Sequence, residues 1–225
     1  MFTFFSSSSI MQIKAFLILV ILSAYLQISQ AQDGVHTFHA GVRAGLNASQ
    51  ISGDDLAGFN KMGASAGIFV NRAVVPSGRL AVQMEIDFSM KGSHSKASSA
   101  NVTNNFYVLN LWYVEVPVLL KWSAGRWTMW GKPFQFDLEA GPAVGVRVYQ
   151  HEREASGPIV GRPDFRRFEF SALAGVSFRI SDRHGVGLRY SNSFIPVRVP
   201  TWVYGRAVKK QFNSVLTIAY DYTFN

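Results

Sequence analysis

Cysteine is absent from the chain, which excludes disulfide scaffolds, thiolate metal sites and thiol catalysis. Charge is scarce: Asp, Glu, Lys and Arg make up 16% of the residues, against roughly 25% in an ordinary soluble domain. No uninterrupted apolar run reaches the roughly 20 residues that a membrane-crossing helix requires. The five histidines offer no metal spacing, since His36 and His39 are three apart and fall on opposite faces of a strand. What is abundant is apolar and aromatic: 48% hydrophobic residues and 14% aromatics, 18 of them Phe. That composition excludes disorder for the bulk of the chain, and 225 residues are compatible with one domain.

The amino terminus carries the order of parts found in an export signal. Lys14 precedes the apolar run from Ala15 to Leu26, and Ser29-Gln30-Ala31 places small residues where a signal peptidase reads. Cleavage is expected after Ala31, with Met1 or Met11 as the start. Removing residues 1–31 takes away one base and no acid, so the mature chain keeps 21 bases against 14 acids. Beyond this segment nothing forms a second apolar helix, so any membrane crossing has to be made by strands.

Period two runs through the remainder. From Leu80 to Lys91 the even positions read Leu, Val, Met, Ile, Phe, Met, and the odd ones Ala, Gln, Glu, Asp, Ser, Lys, the alternation of a strand with one apolar face. Phe134 to Tyr149, Arg167 to Ile180 and Val215 to Phe224 repeat it, and no even position in these four segments is charged. Weaker alternation over His36–Asn47, Gly63–Val74, Val108–Trp122 and Gly185–Ser193 brings the expected strands to eight. Several exceed the roughly five or six residues of a typical soluble strand. Long polar connections (47–62, 92–105, 150–164, 194–209) alternate with tight turns at Val75–Gly78 and Ser181–His184, and Ser123–Lys132 is the one longer exception. Long connections at one end, short ones and both termini at the other, predict an outer-membrane barrel with periplasmic turns.

A soluble carrier barrel shows the same period with its apolar face turned inward, so the polar face decides the orientation. That face carries Arg43, Glu85, Asp87, Lys91, Glu115, Lys121, Asp137, Glu139, Arg147, Arg167, Glu169, Arg179, Arg189 and Asp221. Seven acids matched by seven bases suit pairing in a confined interior, where an unpartnered charge would cost several kcal/mol. Glycines at Gly41, Gly45, Gly67, Gly141, Gly145, Gly175 and Gly187 share the face and leave room for long side chains. Rings mark the margins of the apolar face, with Trp112, Phe168, Phe170 and Tyr190 toward the long loops and Trp122, Phe134, Phe178, Tyr222 and Phe224 toward the turns. Phe69, Leu119, Leu173 and Val215 are apolar at polar-face parity and are expected to plug the lumen near its ends.

The motifs Gly41-Val42-Arg43-Ala44-Gly45-Leu46-Asn47, Gln83-Met84-Glu85 through Ser89-Met90-Lys91-Gly92, Tyr113-Val114-Glu115-Val116-Pro117-Val118-Leu119-Leu120-Lys121 and Gly141-Pro142-Ala143-Val144-Gly145 resemble the outer-membrane β-barrel domain proteins common in Bacteroidota, the PorT-like or porin-family proteins. The resemblance implies an eight-stranded barrel in the outer membrane and no enzymatic activity; some PorT-like members serve protein secretion. Such barrels usually end on an aromatic residue, whereas here Asn225 follows Phe224.

The expected architecture is therefore all-β: an eight-stranded antiparallel up-and-down transmembrane barrel over residues 32–225, after a signal peptide over 1–31. The expected protein is non-catalytic and needs no cofactor or metal, with its lumen closed by the ion-pair network. An accessory role in a secretion or envelope machine is the alternative, followed by a narrow pore and a soluble periplasmic carrier. Expected partners are outer-membrane lipid, lipopolysaccharide and the barrel-assembly machinery during insertion; an exported barrel does not meet nucleic acid despite its basic charge. The last long loop supplies Arg198, Arg206, Lys209 and Lys210 with Trp202 and Tyr204 and no acid, a set able to contact lipopolysaccharide phosphates. Pro117 predicts a bulge or an unpaired donor position. Ser93, His94, His151, Glu152 and Ser156 are expected in outward loops with nothing to orient a nucleophile against a base, and Asp54-Asp55 lack the further oxygens of a calcium loop.

Overall fold

Alternation of β-branched and aromatic residues with small or polar ones favours a pleated, half-buried surface, and the chain folds accordingly. The computed structural model describes residues 38–53, 58–95, 107–129, 132–154, 157–158, 164–203 and 206–224; the expected signal segment and Asp54-Asp55 lie outside them. Eight long strands follow in order: β1 Phe38–Ser52, β2 Lys61–Ala73, β3 Leu80–His94, β4 Tyr107–Met129, β5 Lys132–Glu154, β6 Phe168–Arg179, β7 His184–Ser193 and β8 Phe212–Thr223. Each pairs antiparallel with the next, and β1 pairs with β8 from Gly41 opposite Thr223 to Ser52 opposite Phe212. The sheet thus closes on itself as an eight-stranded antiparallel barrel and leaves no edge along its girth.

The outer face is apolar and uncovered. Leu46, Ile68, Met84, Ile86, Leu120, Leu188 and Ile218 each present 44% or more of their surface, while Arg43, Glu85, Glu139, Glu169 and Arg189 are buried on the inner face. A belt of this kind far exceeds the few hundred Å² of apolar patch that a soluble monomer tolerates. The inward-apolar arrangement of a soluble carrier is therefore not the one adopted. Rings close the belt at both margins: Trp112 stacks on Tyr149 at 4.4 Å near the long loops, and Phe136 meets Phe178 at 5.2 Å near the turns.

β4 and β5 are 23 residues each and outrun their neighbours at both ends. The expected connection at Ser123–Lys132 is instead strand on both sides, a two-stranded ribbon reaching past the other turns. Sequence alternation hid this because the β4–β5 register shifts twice, at Trp112/Tyr113 and at Ser123/Gly125. A bulge inserts a residue and reverses which face later residues point to. At the turn end Gly125, with φ +145°, makes the shift and sets Trp127 opposite Phe134 on the outward face. At the loop end the shift sets Gln150 opposite Leu111 and Glu152 opposite Leu109, turning them inward. Pro117 causes no bulge: pairing with β3 is interrupted between Val118 and Glu115, yet Met84–Val118 and Asp87–Glu115 keep one register. Of the two expectations, the unpaired donor is the one observed.

Candidate functional site

The lumen is crossed by side chains from opposite walls. Arg189 on β7 reaches Glu85 on β3, four strands away and therefore diametrically opposed, through Nη1 to Oε2 at 2.6 Å and Nη2 to Oε1 at 2.7 Å. The same guanidinium donates from Nε and Nη2 to Glu139 on β5, the latter at 3.2 Å. Gln83 donates to Glu85 from the same strand. Lys121 approaches Glu139 at 3.3 Å, and Arg43 lies 3.5 Å from both Glu85 and Asp221. Paired, bidentate and shielded, Arg189 with Glu85 and Glu139 meets the condition under which buried charges are tolerated, whereas Arg43 Nη1 and Nη2 have no hydrogen-bond partner among the described residues. Glycine supplies the room: a Cβ at Gly175 would stand 2.8 Å from Arg189 Cγ, and one at Gly187 would stand 3.0 Å from Arg43 Nη2.

A second cluster lies nearer the loops. Lys91 joins Glu115 at 2.6 Å and Glu169 at 3.2 Å, sits 5.2 Å from the centre of the Tyr113 ring, and shares Glu169 with the Asn213 amide, which donates at 2.8 Å. Asn47 links β1 to Ser89 and receives the Thr217 hydroxyl at 2.8 Å. Among the described residues, two voids beside these groups measure about 20 Å³ and about 30 Å³, on the scale of one or two waters.

Above that cluster the inner face turns apolar. Ile51, Leu109, Leu111 and Tyr113 pack with Phe165 and Val197, which come from the two connections that flank β6 and β7. Arg198, 1% exposed, lies 3.8 Å over the Phe165 ring and grips Glu152 at 3.1 Å and 2.5 Å. The Tyr107 hydroxyl donates to the same carboxylate at 2.8 Å. The Arg166 N–H donates to the Val197 carbonyl at 2.6 Å, tying the two connections together.

Placement of the other sequence-derived residues is uneven. Arg179 is a partly exposed member of the network, 3.6 Å from Asp137, and Asp87 packs against Gly67 and shares a side-chain hydrogen bond with Glu85. Arg147 is half-buried and donates to Gln150. Arg167 is exposed, because the chain bends there before β6 begins and only its carbonyl is used, accepting the Arg147 N–H; its lumen assignment is corrected. Arg198 is likewise turned inward against Glu152, so its assignment to an outward lipid-contacting surface is corrected too. Lys209 and Lys210 are exposed, Trp202 and Arg206 lie in a short hairpin of Thr201–Val203 with Arg206–Val208, and Tyr204 is outside the described residues. Glu152 and Ser93 leave the expected outward loops for inner positions, Ser93 buried and Glu152 half-buried, whereas His151 is exposed and Ser156 is outside the described residues. Phe69, Leu119 and Val215 are buried in the lumen. The apolar cap was missed, although Tyr107 to Tyr113 is apolar at both parities apart from Asn110, the available signal that the inner wall changes character there.

Closed antiparallel strands with a greasy exterior and an ionic interior define an integral β-barrel of the outer-membrane class. The chain belongs to the family described as outer membrane protein beta-barrel domain, which matches residues 28–198. Among solved structures it is similar to Ail, the attachment invasion locus protein of Yersinia pestis, in complex with the heparin analogue sucrose octasulfate, with TM-score 0.47, 10% identity and coverage of 83% of this chain and 99% of that one. Ail solved separately gives TM-score 0.41 at 10% identity, over 83% of this chain and 98% of that one. Neisserial surface protein A gives 0.44 at 13% identity, over 85% of this chain and the whole of that one. No curated protein matches the chain.

Proposed function

We propose that this outer-membrane barrel is a non-catalytic envelope protein, exported by the segment 1–31, whose lumen is shut and whose work is done at its outward end. The supporting observation is the Arg189 bridge across the full lumen to Glu85 and Glu139, surrounded by voids too small for a file of hydrated ions. At the outward end Arg166, Arg167, Lys209 and Lys210 are exposed, and the rings of Phe168 and Tyr190 stand at the belt margin. Cations beside headgroup-level rings suit the phosphates of lipopolysaccharide. In planar bilayers the folded protein is expected to give no conductance steps; regular ohmic steps would replace this reading with the narrow pore. In nanodiscs carrying lipopolysaccharide, replacing Arg166, Arg167, Lys209 and Lys210 together with Gln is expected to weaken retention of the lipid, with folding unchanged.

The motifs around Gly41–Asn47 and Tyr113–Lys121 place the chain, in our reading, among the PorT-like proteins of Bacteroidota. That placement keeps an accessory role in a secretion machine as the second reading, which co-purification of a stoichiometric envelope partner would favour.

A further inference from the structure

The largest described void is not in the middle of the barrel but at its turn end, a cup of about 160 Å³. The β4–β5 ribbon makes one wall through Ser123 and Gln135, the β2–β3 turn another through Arg79, and His39 and Arg179 close the rim. Its lining is charge-imbalanced. Arg79, Lys121 and Arg179 bring three basic side chains, and Asp137 is the one carboxylate among the described lining residues. Asp137 is already engaged, accepting from Gln135 at 2.7 Å and facing Arg179 at 3.6 Å. Lys121 is shared with Glu139 deeper in the lumen. The Arg79 guanidinium stands on an exposed turn and meets no carboxylate among the described residues. With Lys121 and Arg179 each beside a carboxylate, the surplus at this end rests on Arg79, and the amides of Asn71 and Gln135 line the same opening, which is of the size that holds one small molecule.

We propose that the cup is a binding site for one compact anionic head, a phosphate or a carboxylate, entering from the side of the short turns. Guanidinium and ammonium groups around one half-open recess are the arrangement that captures such oxyanions, and a single negative charge offsets the surplus carried by Arg79. The site is separate from the outward surface of the proposed function and stands or falls independently of it.

The test uses the full mature barrel folded in zwitterionic micelles, with intact folding checked by heat-modifiable migration. Inorganic phosphate and acetate are titrated at constant ionic strength against chloride, with amide chemical shifts as the readout. Saturable shifts at Asn71, Arg79, Gln135 and Arg179 with phosphate, acetate or both support the site, and the tighter anion identifies the head. Arg79→Gln is expected to weaken binding at least about tenfold, the loss of one charge-assisted contact. Asp137→Asn, which removes the one carboxylate among the described lining residues, is expected to tighten it, and Arg153→Gln, at an exposed position at the opposite end, to leave it unchanged. Shifts that rise linearly without saturating, or affinities identical in all three variants, overturn the proposal.

Discussion

The two ends of this barrel are built on opposite principles. At the loop end the inner wall turns apolar and the chain folds back over it: Phe165 and Val197 fill the mouth, and Arg198 is stacked, doubly paired and 1% exposed. At the turn end no described segment folds back. Arg79 and Arg179 stand at the rim of a cup of about 160 Å³, and the ribbon beyond Trp122 extends past the other turns as two strands. An arginine buried against an aromatic ring and a carboxylate is a structural part, because desolvation has already been offset by its partners. An arginine at a half-open rim is still able to exchange water for a ligand. Residue type alone does not distinguish these two uses; the partners do.

Between the ends lies the ionic middle, and the largest expected effect belongs there. Arg189→Ala removes the guanidinium closest to two buried carboxylates, leaving Glu85 only Arg43 at 3.5 Å and Glu139 only Lys121 at 3.3 Å among the described cations, and is expected to cost about 3–5 kcal/mol, read as a lowered urea midpoint of the folded barrel. Arg43 shares Glu85 with Arg189, but its contacts are at 3.5 Å where those of Arg189 to Glu85 are at 2.6 and 2.7 Å. Arg43→Ala is accordingly expected to cost less, about 1–3 kcal/mol. Equal losses for the two would mean that the lumen relaxes as a unit around any missing cation, and the distinction between a hub and a peripheral member would fail.

Arg198→Ala tests the closed end. Glu152 would keep the Tyr107 hydroxyl but lose both Arg198 contacts, and the ring of Phe165 would lose its cover, an expected cost of about 2–3 kcal/mol. The effect should be local. Hydrogen exchange is expected to accelerate at the Arg166 amide, whose bond to Val197 ties the cap together, while amides of β1 and β8 near Arg43 and Asp221 keep their protection. Uniform acceleration would show that the cap and the ionic middle open together.

Strand number, facing and the membership of most lumen charges were legible because period two is a direct readout of which side a residue faces. Glu85, Lys91, Glu115, Glu139, Glu169 and Arg189 all lie on the face that alternation assigns them. Legibility failed where the period is reset. The shift at Trp112/Tyr113 sends Glu152 inward, and the shift at Ser123/Gly125 turns an expected connection into a ribbon with Trp127 outward; a bulge leaves every residue in place in the sequence and changes only the pairing. Arg198 was misplaced for a different reason. Its two partners, Glu152 and Phe165, lie 46 and 33 positions away in segments without periodicity, so only the closed tertiary structure brings them together. Arg189 was one name among fourteen, since charge on a strand face carries no sign of which side chain will cross the lumen.

The smallest expected effect sharpens the contrast between the ends most directly. Arg79 and Arg198 are both arginines in connections outside the strands, yet only Arg198 holds buried partners. Arg79→Gln removes an exposed guanidinium from a turn whose geometry rests on backbone bonds, Val74 N–H to Leu80 carbonyl at 2.8 Å and Gly78 N–H to Val75 carbonyl at 2.9 Å. Stability should therefore change by no more than about 0.5 kcal/mol, and the urea midpoint should coincide with that of the unmodified barrel in low-phosphate buffer. If added phosphate raises the midpoint of the unmodified barrel and not that of the variant, the turn end is a place where binding and folding are linked. A midpoint lowered as far as by Arg198→Ala would instead make Arg79 a second structural latch, and the two ends would no longer differ in kind.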